Sequence, residues 1–542
     1  MNLKQKRIFR ITAICILALL FLLAGSEIWV IRKIETTAEL AIRNQGGIPN
    51  KVDIGSISIN PLKRRVRLNN LLFHIEFSST ASDINLKIDH LVIEEIRLQR
   101  GNGITFEAID LHTPILTLSR HSSESLLDSP RRDTTTFIKP NSMLEKILSQ
   151  AIHITDGSIR IIENKNNKPI IHSFQHVSFS TGPQTGIASG QSLISTETDF
   201  QLYIRQIQYQ FDQNALQFEA DTLIVSRDSI HLTALRLLPL YTREEFAELA
   251  PEHADWIQIS SRNISGYGIN LLEWILHKNF TADSIDIGTA HIESYKDRNI
   301  TQEQRIKPLF FQLLNKIPNP IDIQSVGFRN IDAFYSELVP GKNTPGTISF
   351  NNISGSCNGI TNRPENSGQN IVIQANGLLQ NTVPMQLNLV WPAGSSQPQF
   401  VATGKMGSMD LSLMNSITIP IADLQIDRGK VHQLSFRITG DSTQAETELT
   451  MLYDSLKIEL IHRKSGIVRE RKLLSTVLDD FILIPDNPHL GKTRIGTGTT
   501  LRNPYRSQFN YLWKSIETGI KSTLIDRHIK HNKPHRSRYK NF

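Results

Sequence analysis

The sequence predicts a mainly β protein: an extended, mainly antiparallel sheet with a few short helices, one N-terminal transmembrane helix and a C-terminal amphipathic helix. Three observations carry that prediction. One apolar stretch, Ile11 to Ile31, has membrane-spanning length. After it, apolar and polar residues alternate with period two, the mark of strands with one buried and one solvated face. Turn-forming clusters interrupt the alternation about every 10 to 15 residues, so successive strands follow one another as a meander.

Ile11 to Ile31 reads ITAICILALLFLLAGSEIWVI. At ~1.5 Å per residue it spans roughly 30 Å as a helix, about the hydrocarbon thickness of a bilayer. Lys4, Lys6, Arg7 and Arg10 precede it, and Arg32 and Lys33 are partly offset by Glu27 and Glu35. The positive-inside bias puts the N-terminus in the cytoplasm and everything after about residue 32 on the far side of the membrane. Glu27 falls near the outer end, where a carboxylate reaches headgroups and water, and Trp29 fits an interfacial anchor there. The competing reading is a cleaved signal peptide, with Ala24-Gly25-Ser26 as the small-residue cleavage site. Either way the rest of the chain is exported.

Glu35 to Arg43 continues as a short helix that stops at Asn44-Gln45-Gly46-Gly47. Strands follow: Leu71, Phe73, Ile75 and Phe77 alternate with polar residues, then Ile84, Leu86 and Ile88, then Ile96 and Leu98. Residues 121–140 are polar and proline-flanked, a linker, and Met143, Leu144, Ile147, Leu148 and Ala151 give a short amphipathic helix. Further strands run at Gly157 to Ile161, Phe200-Leu202-Ile204, Ile207-Tyr209-Phe211 and Leu216-Phe218-Ala220. Thr242 and Glu245 form a capping box that opens a helix to Ala250. Leu271 to His277 and Ile306 to Ile317 read as helical inserts. From about residue 320 the pattern is strand and turn, clearest at Ile371-Ile373, Met385-Leu387-Leu389, Leu434-Phe436-Ile438 and Leu449-Met451-Tyr453. A short unit recurs loosely as a strand opening: Ile54-Gly55-Ser56-Ile57, Asp156-Gly157-Ser158-Ile159 and Ile287-Gly288-Thr289-Ala290.

At the C-terminus Phe509, Leu512, Trp513, Ile516, Ile520 and Leu524 share a face at helical spacing. They are the candidate membrane-interface residues together with Trp29. One reading is a helix capping the open end of the sheet, the other an interfacial helix with Trp513 at headgroup level. Beyond it Arg527, Lys530, Lys533, Arg536, Arg538 and Lys540 make a basic tail, disordered and suited to anionic lipid. The expected organisation is a cytoplasmic N-terminus (1–10), a signal anchor (11–31) and a first β-meander (32–120). A β module with helical inserts (121–320), a C-terminal β region (321–500), an amphipathic helix (501–525) and the basic tail (526–542) complete it.

Composition excludes several classes. A net charge of +7 on 542 residues, much of it at the two ends, argues against a nucleic-acid partner. The two cysteines are Cys15, inside the anchor, and Cys357, alone outside it, so no disulfide staples the body and multi-thiolate metal sites are excluded. Gly355-Ser356-Cys357-Asn358-Gly359 reads as a polar turn, not a nucleophile elbow. Gly496-Thr497-Gly498 lacks the strand, helix and acid of a dinucleotide site and reads as a turn. His172 and His176 lack a third ligand at a recognisable spacing. His528, His531 and His535 sit in a basic tail that repels cations. Asp479-Asp480 and Glu94-Glu95 point to opposite faces if extended. The expectation is no enzyme, no catalytic residue, no metal and no cofactor.

The stretch Gly404 to Ile461 resembles the C-terminal region of AsmA-like periplasmic proteins. It runs Gly404-Lys405-Met406-Gly407-Ser408-Met409-Asp410-Leu411, Asn415, Asp427-Arg428-Gly429-Lys430-Val431, Leu434-Ser435-Phe436 and Met451-Leu452-Tyr453-Asp454-Ser455-Leu456-Lys457. Asp255-Trp256-Ile257, Tyr295-Lys296-Asp297-Arg298, Tyr335-Ser336-Glu337, Arg502-Asn503-Pro504 and Phe509 to Ser515 are similar too, so the resemblance, of the Bacteroidota type, covers most of the chain. The family's usual Asp-Asp after the tyrosine is Asp454-Ser455 here. The resemblance implies a single inner-membrane anchor and a periplasmic body whose extended sheet is curled, groove-like, around an apolar lining. It further implies a role in outer-membrane biogenesis through lipid handling or transport between membranes. The partners it implies are membrane lipids, their acyl chains in the groove, and outer-membrane or envelope assembly proteins. The alternative is a non-enzymatic envelope scaffold, closed β-sandwiches on a membrane stalk. Alternation alone does not separate them, because a buried face looks the same whether protein or lipid covers it.

Overall fold

A computed structural model describes residues 48–60, 62–77, 82–95, 97–99, 103–105, 107–120, 151–165, 168–182, 199–211, 216–249, 255–300, 306–394, 399–461 and 482–526. The anchor Ile11 to Ile31, the helices expected at 35–43 and 143–151 (Ala151 apart), Asp479-Asp480 and the basic tail beyond Asp526 lie outside them. Among the described residues 66% are in strands and 14% in helices, so the chain is mainly β, as the alternation predicts. The chain forms two compact units, Met1–Arg236 and Leu237–Phe542.

In the first unit the strands are β1 (Ile48–Asn60), β2 (Arg65–Phe77), β3 (Ser82–Glu94), the short hairpin β4 (Arg97–Gln99) and β5 (Gly103–Thr105), β6 (Ala108–His112), β7 (Ile115–Arg120), β8 (Ala151–Lys165), β9 (Lys168–Thr181), β10 (Phe200–Phe211) and β11 (Leu216–Ser226). β12 (Ser229–Pro239) spans the division between the units. β1, β2 and β3 pair antiparallel in chain order. β6 and β7 lie end to end along β3, antiparallel to it, and both pair parallel with β8. β8 to β11 continue as an antiparallel meander. The expected antiparallel meander is thus interrupted by parallel steps, and the sheet is mixed. β8 enters beside β6 and β7 in the same direction, and a parallel neighbour requires a crossover where a hairpin would have made an antiparallel one.

Strict period two would turn the apolar residues of so long a strand to opposite faces wherever two polar residues intervene. Yet Ile54 and Ile57, Leu68 and Leu71, and Leu86, Ile88 and Leu91 all pack in one apolar cluster. Phe174 and Val177, Ile204 and Ile207, and Ala220 and Leu223 share another. Each strand therefore changes parity at a polar pair, and the pairs line up across the sheet: Gly55-Ser56, Asn69-Asn70, Asp89-His90, Thr113-Pro114, Asp156-Gly157, Gln175-His176, Arg205-Gln206 and Asp221-Thr222. Left-handed residues mark the crease at Asn70 (φ 53°), Thr113 (φ 48°), Asp156 (φ 52°), His176 (φ 50°) and Gln206 (φ 53°). Bulges of this kind bend a strand and raise its twist.

The recurring Gly-Ser units mark this crease. Ile54 to Ile57 and Asp156 to Ile159 sit in mid-strand, in β1 and β8, and not at strand openings. The polar pair that resembles a strand boundary is where one continuous strand changes face.

The second unit repeats the device. β13 (Trp256–Tyr267) pairs with β14 (Phe280–Ile287) and β15 (Ala290–Asp297), which lie end to end and both pair parallel with β16 (Ile321–Leu338). Gly288-Thr289, the third recurring unit, is the joint between β14 and β15. Asn330 (φ 54°) and Asn352 (φ 51°) carry the crease on. An antiparallel run follows through β17 (Gly346–Thr361), β18 (Asn370–Leu379), β19 (Val383–Pro392), β20 (Phe400–Met406) with β21 (Met409–Asp410), β22 (Leu424–Gly440) and β23 (Gln444–Leu460). β24 (Ile482–Leu483) pairs with β26 (Ile525–Asp526), and β25 (Ile495–Leu501) pairs with β23. Gly355 to Gly359, read as a polar turn, runs inside β17. There Gly355 admits the backbone of Gln374, whose carbonyl oxygen lies 2.0 Å from where a Cβ would stand.

The helices of this unit are α1 (Arg243–Leu249), α2 (Leu271–His277), α3 (Phe310–Lys316), α4 (Asn415–Ala422) and α5 (Gln508–Leu524). The predicted capping box opens α1: Thr242 N donates to Glu245 Oε2 at 3.0 Å, and Glu245 N donates to Thr242 Oγ1 at 3.2 Å. α2 has the predicted bounds. Phe310, Phe311 and Leu314 of α3 and Tyr511 and Leu512 of α5 pack on Ile371, Leu389, Trp391, Phe400 and Ile438 of the sheet. Ile417 of α4 and Ile516, Ile520 and Leu524 of α5 pack on Val431, Leu434, Leu449 and Met451.

Candidate apolar-ligand face

The two units treat their apolar faces differently. In the second, the chain's own helices cover the sheet from β17 to β23. In the first, only strands occur among the described residues, and the face is built by register. Val52, Phe73, Leu86, Leu116, Ile159, Phe174, Ile207 and Ala220 stand opposite one another on eight successive strands. On the other side of the crease Ile57, Leu68, Leu91, Leu111, Ile154, Phe179, Leu202 and Val225 form a second such row. Neither row contains a charged side chain.

One position along, the row on the opposite face is polar: His74, Asn85, Thr117, Arg160, Ser173, Gln208 and Glu219 are successive partners. The crease is stitched by side chains. Asn69 Nδ2 donates to Ser56 Oγ at 2.9 Å, and His90 Nδ1 to Asn69 Oδ1 at 2.9 Å. Thr113 Oγ1 donates to Asp89 Oδ2 at 2.6 Å, and this bond holds the Asp89 carboxyl below its ordinary range. His176 Nδ1 meets Asp156 Oδ1 at 2.7 Å. Each bond satisfies polar groups where the ladder is interrupted, so the crease is fixed while both apolar rows stay on one side.

At ~4.8 Å per strand the rows run roughly 34 Å, about twice the depth of one bilayer leaflet at half of ~30 Å. Phe73, Leu86, Leu116, Ile159, Phe174 and Phe179 are each only half-buried, although they lie on the apolar side. A face with apolar rows this long needs a cover, supplied by protein or by an apolar ligand. His172 stands beside this face, 1% exposed, its ring stacked on Tyr209 at 4.2 Å. The crease at Gln175-His176 separates it from the exposed His176, and among the described residues no group of three or more His, Cys, Asp and Glu is placed to hold a metal ion.

The predicted interface residues divide. Leu512 is buried, and Ile516, Ile520 and Leu524 pack on the sheet, whereas Phe509 and Trp513 are 68% and 47% exposed. Trp29 lies outside the described residues, and among those no helix is long and apolar enough to cross a membrane. Gly496-Thr497-Gly498 is not a turn but part of β25. Its glycines let α5 lie against the strand, since a Cβ on Gly496 would stand 2.0 Å from the Gly519 carbonyl oxygen.

Three separated triplets also meet. Lys296 in β15 stands opposite Glu337 in β16, and its ammonium lies 3.6 Å from Asp255, which Lys307 also approaches at 3.6 Å. Burial pulls the Lys296 ammonium below its ordinary range while Asp255 opposes that shift. Tyr335, its hydroxyl donating to Glu337 Oε2 at 3.0 Å, is pushed up chiefly by burial. On the other side of the strands Arg243 of α1 pairs with Glu293 and lies over the rings of Trp256 (4.8 Å) and Tyr295 (5.2 Å). The sequence signal for this cluster is three acid- or base-bearing aromatic triplets, but nothing in their spacing tells that they converge.

No family model matches the chain, and no curated protein matches it.

Proposed function

We propose that this chain is an AsmA-like envelope protein whose first unit holds lipid acyl chains on its creased apolar face. The register of the apolar rows across eight strands carries this reading, with a wholly polar row one residue away. In this reading Ile11 to Ile31 anchors the protein in the inner membrane and the body lies in the periplasm. It contributes to outer-membrane biogenesis by handling lipid or passing it between membranes, without catalysis and without a cofactor. The crease curls the sheet into a groove around the acyl chains. Phe509 and Trp513, exposed on α5, suit a headgroup layer.

A second reading, an envelope scaffold, draws on one observation: in the second unit α3, α4 and α5 already cover the apolar face. The two divide on what the first unit carries. Native mass spectrometry and solvent extraction of the purified full-length chain test this. The lipid reading expects stoichiometric phospholipid, lost in the double variant Leu116→Asp/Phe174→Asp while circular dichroism keeps its strand signal. A folded, lipid-free chain that stays lipid-free after incubation with phospholipid vesicles supports the scaffold.

A further inference from the structure

Two buried polar atoms beside the apolar rows have no partner: Nε2 of His172 and Oε1 of Glu163. His172 accepts the backbone N–H of Gln210 on Nδ1 at 3.2 Å, so its one ring proton sits on Nε2. Burial pulls the imidazole below its ordinary range and keeps it in that neutral form. Glu163 lies two positions beyond Ile161, which pairs with His172. That diagonal spans ~7–8 Å between backbones, within reach of long side chains. One atom is a donor, the other an acceptor. A group that reaches both atoms must answer to both.

The surroundings narrow the ligand. Tyr209 closes one side of His172 by stacking, and Phe211 meets Tyr209 edge-on at 5.0 Å. Ile161 and Phe218 are the neighbouring apolar positions. An alkyl chain lies well on these ring faces, but by itself it leaves both polar atoms unmet, which is costly. A phosphate or carboxylate would accept from His172 and be repelled by the Glu163 carboxylate. A hydroxyl satisfies both, its oxygen accepting from Nε2–H and its proton donated to Oε1.

We propose that the apolar side of β8, β9 and β10 takes an acyl-chain lipid carrying a hydroxyl group, with that hydroxyl seated between His172 Nε2 and Glu163 Oε1. This rests on the acyl-chain reading of the first unit and adds a selectivity to it. The test offers the full-length chain an equimolar mixture of 1-dodecanol and dodecyl methyl ether and reads the bound ratio by native mass spectrometry. The ether keeps the chain and an acceptor oxygen but has no proton for Glu163.

The expected result is at least fivefold enrichment of the alcohol. His172→Phe, which preserves the stack on Tyr209, and separately Glu163→Leu bring the ratio near one while total alkyl binding persists. Equal binding of alcohol and ether to the unaltered chain overturns the hydroxyl seat, a trapped water then serving both atoms, and leaves the acyl-chain reading standing. Enrichment that survives both substitutions overturns it too. Binding of neither compound removes the acyl-chain reading along with it.

Discussion

Gly496→Ala puts one methyl group where the structure has no room. Its Cβ would stand 2.0 Å from the Gly519 carbonyl oxygen of α5, a backbone atom that cannot rotate away. Ordinary van der Waals contact requires α5 to retreat by more than 1 Å, and a gap of 0.5–1 Å already forfeits a quarter to a half of a dispersion well. Leu512, Ile516, Ile520 and Leu524 all pack from α5 onto the sheet. With each such side chain contributing ~1.5–3 kcal/mol when fully buried, losing about a third of four amounts to roughly 3 kcal/mol.

Amide hydrogen exchange on peptides covering Gln508 to Leu524 reads this directly. At 1.36 kcal/mol per factor of ten, exchange in α5 should quicken on the order of a hundredfold. Gly498→Ala is the milder comparison, because its Cβ would meet the side chain of Thr518, its methyl at 2.5 Å, and no backbone atom. Protection of α5 within threefold of the unaltered chain in Gly496→Ala would refute the close-packing argument.

Three further outcomes follow from the same geometry. Burial pushes the Cys357 thiol up to about 11, so in a Cys15→Ser background it should alkylate at pH 8 far more slowly folded than in urea. Because the folded thiol holds its proton longer than the unfolded one, stability should fall as pH rises from about 9 through 11, and Cys357→Ala should lose that slope. His172 has the opposite sign. Its folded-state pKa is depressed, so the unfolded chain binds the proton first and stability falls as pH drops below about 6.5; in His172→Phe the acid limb of a urea-midpoint profile should flatten. Asp255→Ala strips the carboxylate from the buried Lys296 and should cost about 3 kcal/mol in urea unfolding, more than Lys296→Met, which leaves Asp255 paired with Lys307.

Much of the fold is legible in the sequence because period-two alternation is a local property. Leu71-Phe73-Ile75 announces a strand without reference to any neighbour, and the Thr242–Glu245 box announces α1. The crease is local too, yet it is hidden by its own chemistry. A polar pair such as Gly55-Ser56 or Asp156-Gly157 looks like a strand end, and only the cross-strand partners show that the apolar residues on either side keep one face. Gly355 to Gly359 and Gly496 to Gly498 mislead for a related reason. Glycine marks a turn by its freedom, but here it serves close approach, by Gln374 in one case and by Gly519 in the other.

The candidate site is less legible than the strands. Helical spacing places Phe509, Leu512, Trp513, Ile516, Ile520 and Leu524 on one side of α5, but it does not say what covers them. The sheet takes Leu512, Ile516, Ile520 and Leu524 and leaves Phe509 and Trp513 in solvent. Likewise nothing local in Leu116 or Ile159 tells that they face each other across a parallel pair, because that depends on the crossover between β7 and β8.

Site-specific photocrosslinking tests the central claim most directly. A benzophenone side chain placed singly at Leu116 or Ile159 faces the apolar side, and at Thr117 or Arg160 the polar side, each one residue away on the same strands. Irradiation of the full-length chain in cells, followed by mass spectrometry of the crosslinked peptides, should yield lipid adducts at 116 and 159 and none above background at 117 and 160. Adducts equal on both faces, or confined to 117 and 160, would contradict an acyl-chain-binding face in the first unit.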